Sequence, residues 1–236
     1  MKLYWERIDP ATANMLQTLS GTGILRDFYL SGGTALSLQI GHRVSVDLDF
    51  FTKKVQSKLE SQSLFRKLEE RFKQSTIHVS YRSIDQIWLD LNRVRVTFMA
   101  YPFQRKYPLV EQNGVEMADI RDIALQKAYV IGRRTKARDY VDLAYILRSG
   151  VISLGQIALD ASEVFVEDGE NLFNRKLFLQ QIVYTDGLDD ADAVLNQLHQ
   201  KEPFDAFAEE LASAVRLESF DMFKSQESTN TTQRKR

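Results

Sequence analysis

The sequence predicts an α+β chain: a mixed sheet with flanking helices, followed by a helical C-terminal region. Three observations carry that prediction. Between Phe28 and Val115 the apolar residues fall in short blocks rich in branched and aromatic side chains, the mark of strands. From Asp119 onward they recur at helical spacing. Between these regimes, Gly32-Gly33 joins a short apolar run to a helical one, and Asp47 and Asp49 follow inside VDLDFF.

The 236 residues suffice for one large domain or two small ones. A hydrophobic content of 44% with 27% charged residues is ordinary for a soluble globular protein. The formal net charge is −1, so any nucleic-acid contact has to come from a local patch. The absence of cysteine excludes disulfides and thiolate metal sites, and His42, His78 and His199 lack zinc spacing. MKLYWERIDP is charged throughout and has no apolar centre, unlike a signal peptide. No apolar run approaches the roughly 20 residues of a membrane span. A cytoplasmic protein with no membrane partner is expected.

In order along the chain, Asp9 caps a helix from Pro10 to Ser20, with proline in its first turn. Phe28 to Leu30 is a short buried strand, Thr34 to Ile40 a helix, and Val44 to Phe51 a second strand. Lys58 to Gln74 is an amphipathic helix with Leu59, Leu64, Phe65, Leu68 and Phe72 on its apolar side. Three strands follow, Ile77 to Tyr81, Ile84 to Leu91 and Val94 to Tyr101, with a turn at Asn92-Arg93. Pro102 to Tyr107 is a loop, and Leu109 to Val115 holds a short strand or a hairpin around Asn113-Gly114. Helices are expected at 122–131, 136–147, 153–165, 172–183, 189–198 and 204–220. The predicted organisation is an α/β core over 1–120, a helical region over 121–224 and a disordered tail over 225–236, which has no apolar residue.

Alternate residues of a strand share a face. Asp47 and Asp49 therefore stand side by side with Ser45 next to them, while Val46, Leu48 and Phe50 point into the core. Aspartate is disfavoured in strands. Two adjacent carboxylates repel unless a cation lies between them, so a divalent metal is expected there, Mg²⁺ or Mn²⁺. Gly32 and Gly33 open a helix N-terminus, whose free N–H groups suit phosphate, and Thr34 adds a hydroxyl donor. A Gly-Gly turn alone is weak evidence, and no Walker lysine follows it; its value comes from the Asp pair nearby. Together these point to metal-assisted phosphoryl transfer from a nucleoside triphosphate. Farther on, Lys127 lies on the polar side of an apolar helix, next to the basic run Arg133, Arg134, Lys136 and Arg138. Arg138 and Asp142 have the spacing of a helix-surface ion pair. Such cations neutralise a bound triphosphate.

The combination of SGGTAL, R-x-S-x-D-x-D-F-F at Arg43 to Phe51, and a lysine helix running into R-x-x-x-R-D-x-x-D-L at Arg134 to Leu143 resembles the AbiEii/AbiGii toxin family. These are nucleotidyltransferases of the polymerase-β-like superfamily. The similarity covers about residues 25 to 150, including Tyr101-Pro102-Phe103 and Val110 to Val115. It implies a polymerase-β-type core with a helical C-terminal region, Mg²⁺ dependence and an NTP substrate. The family's Gly-Ser loop falls on Gly33-Thr34, its metal-binding pair on Asp47 and Asp49, its triphosphate lysine on Lys127, and its Arg-Asp motif on Arg138 and Asp139, with Asp142 after it. Catalytic parts are thereby implied for Asp47, Asp49, Lys127 and Asp139, and nucleotide contacts for Gly32, Gly33, Thr34, Ser45, Lys127, Arg134 and Arg138. Members act as toxins of type IV toxin–antitoxin or phage-defence pairs, some by adding nucleotides to the 3′ end of tRNA. A winged-helix antitoxin and an RNA acceptor are the implied partners.

One position departs from the superfamily. Where a third carboxylate is usual, in a V-x-V-D-F context, this chain has Val94-Arg95-Val96-Thr97-Phe98. Threonine is neither a general base nor an anionic ligand. Asp90, across the hairpin, is a candidate substitute that strand parity alone leaves open. The alternatives to an RNA-modifying enzyme are a nucleotide-binding protein with a degenerate site that acts through a partner, and a small-molecule nucleotidyltransferase. The acidic stretches Glu163 to Glu170 and Asp186 to Asp192 are solvated helix ends or a docking face for an antitoxin.

Overall fold

Asp9 starts the first helix, α1 (Pro10–Ser20), by accepting hydrogen bonds from the N–H groups of Ala11 and Thr12 at 3.0 and 3.3 Å. The computed structural model describes residues 2–73 and 76–233. After α1 come β1 (Phe28–Ser31), α2 (Gly32–Ile40), β2 (Asp47–Thr52), α3 (Ser61–Glu69), β3 (Ile77–Arg82), β4 (Gln86–Leu91) and β5 (Val94–Met99). A short hairpin, β6 (Val110–Gln112) and β7 (Val115–Met117), leads into α4 (Ile120–Val130) and α5 (Ala137–Arg148). The chain continues with α6 (Leu154–Val164), β8 (Val166–Glu167), β9 (Glu170–Asn171), α7 (Arg175–Gln181), α8 (Ala191–Gln197) and α9 (Phe204–Gln233).

Seven strands form one mixed sheet in the order β3-β4-β5-β2-β1-β7-β6. The β2–β5 and β1–β7 pairs are parallel and the rest antiparallel. Both predicted turn sites close hairpins. Asn92 and Arg93 have φ of 49° and 69°, and Asn113 and Gly114 have 53° and 75°. Two successive positive φ values match the right-handed twist of the flanking strands.

One face of the β2–β5–β4 region is apolar. Leu48, Phe50, Leu89, Val96 and Phe98 are buried in it, and α1 packs on β2 and β5. The opposite face of the same strands carries Asp47, Asp49, Trp88, Asp90, Arg95 and Thr97. Beside it, α2 packs on β2 and α4, while α5 joins α4, α8 and α9. Within β2, β4 and β5 the charged residues are thus confined to one side, where the helical half adds a wall. Among the described residues no helix is long and apolar enough to cross a membrane.

Several expectations need correction. Val46 is 50% exposed, not in the core. Strand pairing starts only at Asp47, and the preceding residues make isolated bridges, Ile8 to Ser45 and Arg43 to Leu198, so the period-2 alternation does not reach back to it. The helix predicted from Lys58 is α3 alone, starting at Ser61. Leu59 is buried ahead of the helix, with its N–H bonded to the carbonyl of Ile84, and the predicted end at Gln74 lies outside the described residues. The helix predicted from Leu172 starts later because the β8–β9 hairpin occupies Asn171 and the Asn174 side chain caps α7. The predicted tail, 225–236, overlaps α9, which runs to Gln233; no glycine or proline after Phe204 stops it, and residues 234–236 lie outside the described part.

Candidate active site

The site begins with the alternation of β2. Leu48 and Phe50 are buried on one side, and Asp47 and Asp49 stand half-buried on the other. Both carboxylates line a cavity of about 490 Å³ with Gly32, Gly33, Thr97, Lys127, Arg134 and Arg138. Burial, then the charge of Asp47, pushes the Asp49 carboxyl up to about 6, against the hydrogen bond donated by Thr97. Thr97 sits in register with Asp49 on the parallel neighbour β5. The residue in the third carboxylate position is therefore a hydrogen-bond donor to the pair. Asp90 is on the same face and borders the same cavity, but its register partner is Arg95, which lies between it and Asp47. Parity thus admits Asp90 to the site face, one step away from the Thr97–Asp49 row.

Gly32 and Gly33 are required by close approach. Gly32 has φ +65°, and a Cβ there would lie 2.7 Å from Asp49 Oδ2; at Gly33 it would lie 2.2 Å from a guanidinium nitrogen of Arg43. The expectation was that a phosphate comes close to these glycines. In the structure the protein's own carboxylate and guanidinium do so, and the first turn of α2 still borders the cavity with no side-chain cap. Ser31, the capping position, instead donates to Gln126 Oε1 at 2.6 Å. Thr34 and Ser45 are buried. Thr34 Oγ1 donates to the main-chain carbonyl of Asp47 and lies 2.8 Å from Ser45 Oγ. These hydroxyls brace α2 against β2 rather than pointing into the cavity.

Behind the glycines lies a buried charged cluster that local sequence spacing misses. Asp142 accepts from Arg43 Nε at 2.8 Å and Nη2 at 3.1 Å, sits 2.8 Å from His42 Nε2, and pairs with Lys127 Nζ at 2.6 Å. Lys127 also donates to Asp139 at 2.9 Å, and Arg134 grips Asp139 through two nitrogens at 2.6 and 2.8 Å. Lys127 is therefore buried within a network of charges. Burial raises the carboxyl of Asp142, but Arg43 and Lys127 outweigh it and hold the group well below the usual range. Burial likewise lowers Lys127, and Asp139 and Asp142 outweigh it, so the ammonium keeps its proton. His42 is lowered, chiefly by burial, and stays neutral at pH 7.

The predicted Arg138–Asp142 pair does not form. Asp142 is fully buried and turns inward to the cations there. Arg138 remains at the cavity rim, 2.6 Å from Asp190 and 3.8 Å from Asp47. Among the residues without a predicted role, Arg43 and His42 matter most. Their one signal is Arg43 at the head of R-x-S-x-D-x-D-F-F, four residues before Asp47.

Residues 15–226 match the family model described as nucleotidyl transferase AbiEii toxin, type IV TA system. The chain is 35% identical over 139 residues to aq_aa25, an uncharacterized protein of Aquifex aeolicus (strain VF5); the match spans 56% of this chain and 64% of that protein, under two thirds of its length. Its fold is similar to that of JHP933 from Helicobacter pylori, with a TM-score of 0.56 at 19% identity over 94% of this chain and 97% of that one. It is also similar to MenT4, the nucleotidyltransferase toxin Rv2826c from Mycobacterium tuberculosis H37Rv, with a TM-score of 0.54 at 13% identity over 89% and 86%. At such identities these likenesses speak to the fold. With the family model covering most of its length, the chain belongs to the AbiEii nucleotidyl transferase toxin family of type IV toxin–antitoxin systems.

Proposed function

We propose that this chain transfers a nucleoside monophosphate from an NTP to the 3′ end of an RNA such as tRNA, using Mg²⁺ or Mn²⁺ held by Asp47 and Asp49. The observation that carries this reading is one cavity bordered by a same-face carboxylate pair, an uncapped helix N-terminus and a cationic wall. The residues fit a hard divalent cation. Two carboxylates stand side by side, and burial, then the charge of Asp47, pushes the Asp49 carboxyl up to about 6. Among the described residues no third His, Cys, Asp or Glu completes a ligand set, so the remaining ligands are substrate oxygens and water. When bound, the metal supplies neutralisation of the triphosphate and a lowered pKa for the attacking hydroxyl.

The chain's own residues then divide the work. The N–H groups of the first α2 turn at Gly32 and Gly33 bind the β- and γ-phosphate oxygens. Arg43, Lys127 and Arg134 face the two buried carboxylates Asp139 and Asp142, so one positive charge remains in excess beside the cavity. Asp139 is a positioning residue that fixes Lys127 and Arg134 at that wall. Arg138, at the rim, neutralises the departing pyrophosphate. Thr34 and Ser45 hold the glycine turn against β2. Physiologically this reading makes the chain the toxin of a phage-defence pair restrained by a winged-helix antitoxin.

Incubation with each α-labelled NTP, Mg²⁺ and total tRNA tests the proposal. Label should enter RNA with wild type and not with Asp49→Ala. Label that is bound but never transferred supports the second reading, a nucleotide-binding module, which Thr97 in the third carboxylate position favours.

A further inference from the structure

Two aromatic side chains stand exposed on the open face of the sheet beside the carboxylate pair. Trp88 is 41% and Tyr81 44% exposed, and their ring centroids are 4.8 Å apart at an interplanar angle of 44°. Register places them in one row across the sheet: Tyr81 opposite Trp88, Trp88 opposite Thr97, and Thr97 opposite Asp49. Adjacent strands are about 4.8 Å apart, so the backbone of Trp88 lies about 10 Å from that of Asp49. The indole is held in place, because its N–H donates to Gln86 Oε1 at 2.9 Å.

Trp88 borders the cavity of the acidic pair together with Asp90 and Arg95. A second, shallow cavity of about 660 Å³ shares Asp90 and continues over His78 and Arg93 toward the edge of the sheet. Arg93 and Arg95 make no ion pair among the described residues. An open trough therefore runs from the carboxylates past an aromatic platform with two free guanidinium groups. Stacking surfaces interleaved with cations are what unpaired nucleotides require.

Which nucleotide lies there follows from the geometry of displacement. The attacking hydroxyl and the departing pyrophosphate lie on opposite sides of the reacting phosphorus. The α2 N-terminus follows β1, whose Ser31 stands in register with Asp49 and bonds Gln126, the neighbour of Lys127 in α4, so that side takes the pyrophosphate. The hydroxyl must then arrive over β5, β4 and β3.

We propose that Trp88, with Tyr81 behind it, is the stacking seat for the unpaired terminal bases of the RNA acceptor, and that Arg95 contacts the acceptor's phosphate backbone. This rests on the transfer reading above for the acceptor's place, but the seat can be tested without turnover. The probe is a fluorescein-labelled single-stranded RNA decamer ending in a 3′-deoxynucleotide, which cannot be extended. Its binding is followed by anisotropy without NTP. In a Trp5→Phe background Trp88 is the single tryptophan, because the chain has two. Binding should quench its fluorescence saturably, and Mg²⁺ with any NTP should not. Trp88→Ala should weaken RNA binding roughly 5- to 150-fold, the range for one lost base stack, and leave KM for the NTP unchanged. Trp88→Phe should restore most of the binding.

Equal RNA binding by wild type and Trp88→Ala overturns the seat, as does quenching by an NTP but not by RNA. Transfer of label to RNA at the same KM for RNA in wild type and Trp88→Ala also overturns it, while the transfer reading stands. A decamer that quenches Trp88 in a protein that never transfers label supports the seat and sinks the transfer reading instead.

Discussion

Two aspartates of this site should respond oppositely when their charge is removed. Asp142 is fully buried and satisfies Arg43, Lys127 and His42 at 2.6 to 3.1 Å. Asp142→Ala leaves two buried cations with less compensation. Removing one partner of a buried ion pair costs about 3–5 kcal/mol. For a chain of this size each kcal/mol lowers Tm by about 2–4 °C, so a fall of roughly 6–20 °C is expected. Asp49 is the reverse case. Its carboxyl is pushed up from 3.8 to about 6 by burial and Asp47. At pH 7 the ionised form therefore carries a penalty of about 3 kcal/mol in the metal-free protein. Asp49→Asn removes that charge, keeps the shape, and leaves an acceptor for the Thr97 hydroxyl. It should raise Tm in EDTA and abolish metal-dependent stabilisation. Differential scanning calorimetry of both variants, with EDTA and with excess Mg²⁺, reads both effects. An Asp142→Ala protein within about 1 kcal/mol of wild type, or an Asp49→Asn protein that melts as low as Asp142→Ala, would refute the division into structural and ligating carboxylates.

The same charges set pH behaviour. A raised acid keeps its proton in the folded state, so Mn²⁺ affinity, measured by EPR titration, should be flat above about pH 6 and fall roughly tenfold per unit below it. Asp142 is depressed, so its stabilisation is complete above the ordinary carboxyl range near 3.8 and is lost as pH falls through and below it. Urea midpoints should therefore drop steeply below about pH 4, and should drop less in Asp142→Asn. Gly33→Ala should perturb more than the site, because its Cβ would lie 2.2 Å from the Arg43 guanidinium and drive it off Asp142. Both Tm and NTP binding by calorimetry should fall, whereas an alanine at Gly23, where a Cβ meets nothing within 4 Å, should cost only its backbone strain at φ +74°.

The Asp pair was legible because its signal is local. A period of two decides which residues share a face, and β2 obeys it from Asp47 onward. The same rule misplaced Val46, since a period says nothing about where pairing begins. The hairpins at Asn92-Arg93 and Asn113-Gly114 were legible for the same reason, as turn chemistry acts over a few residues. What was hidden is long-range. Arg43 and Asp142 are bonded across about a hundred positions, and the i, i+4 spacing of Arg138 and Asp142 suggested a local pair instead. Burial decides between the two. A carboxylate with no access to water must take the cations enclosed with it, and α5 turns Asp142 inward while Arg138 stays at the rim.

That choice bears on function, because it determines which charges are free. Lys127 reads in sequence as a phosphate-binding residue and in structure as a cation already engaged by two carboxylates. The two are compatible only if the wall acts through its excess charge and its rigidity, with Asp139 and Asp142 fixing where Lys127 and Arg134 stand before any nucleotide arrives. A conservative change at Asp139 would then alter NTP binding and impair transfer without any contact between Asp139 and the nucleotide. Asp139→Asn keeps an acceptor for one nitrogen of Arg134 but leaves Lys127 with Asp142 as its one carboxylate, so the wall gains net positive charge. It should therefore strengthen triphosphate binding while misplacing it, so that affinity rises and transfer falls. Asp47→Asn, by contrast, should lower transfer through the metal alone. Affinity and transfer measured together on these two variants separate a positioning carboxylate from a ligating one.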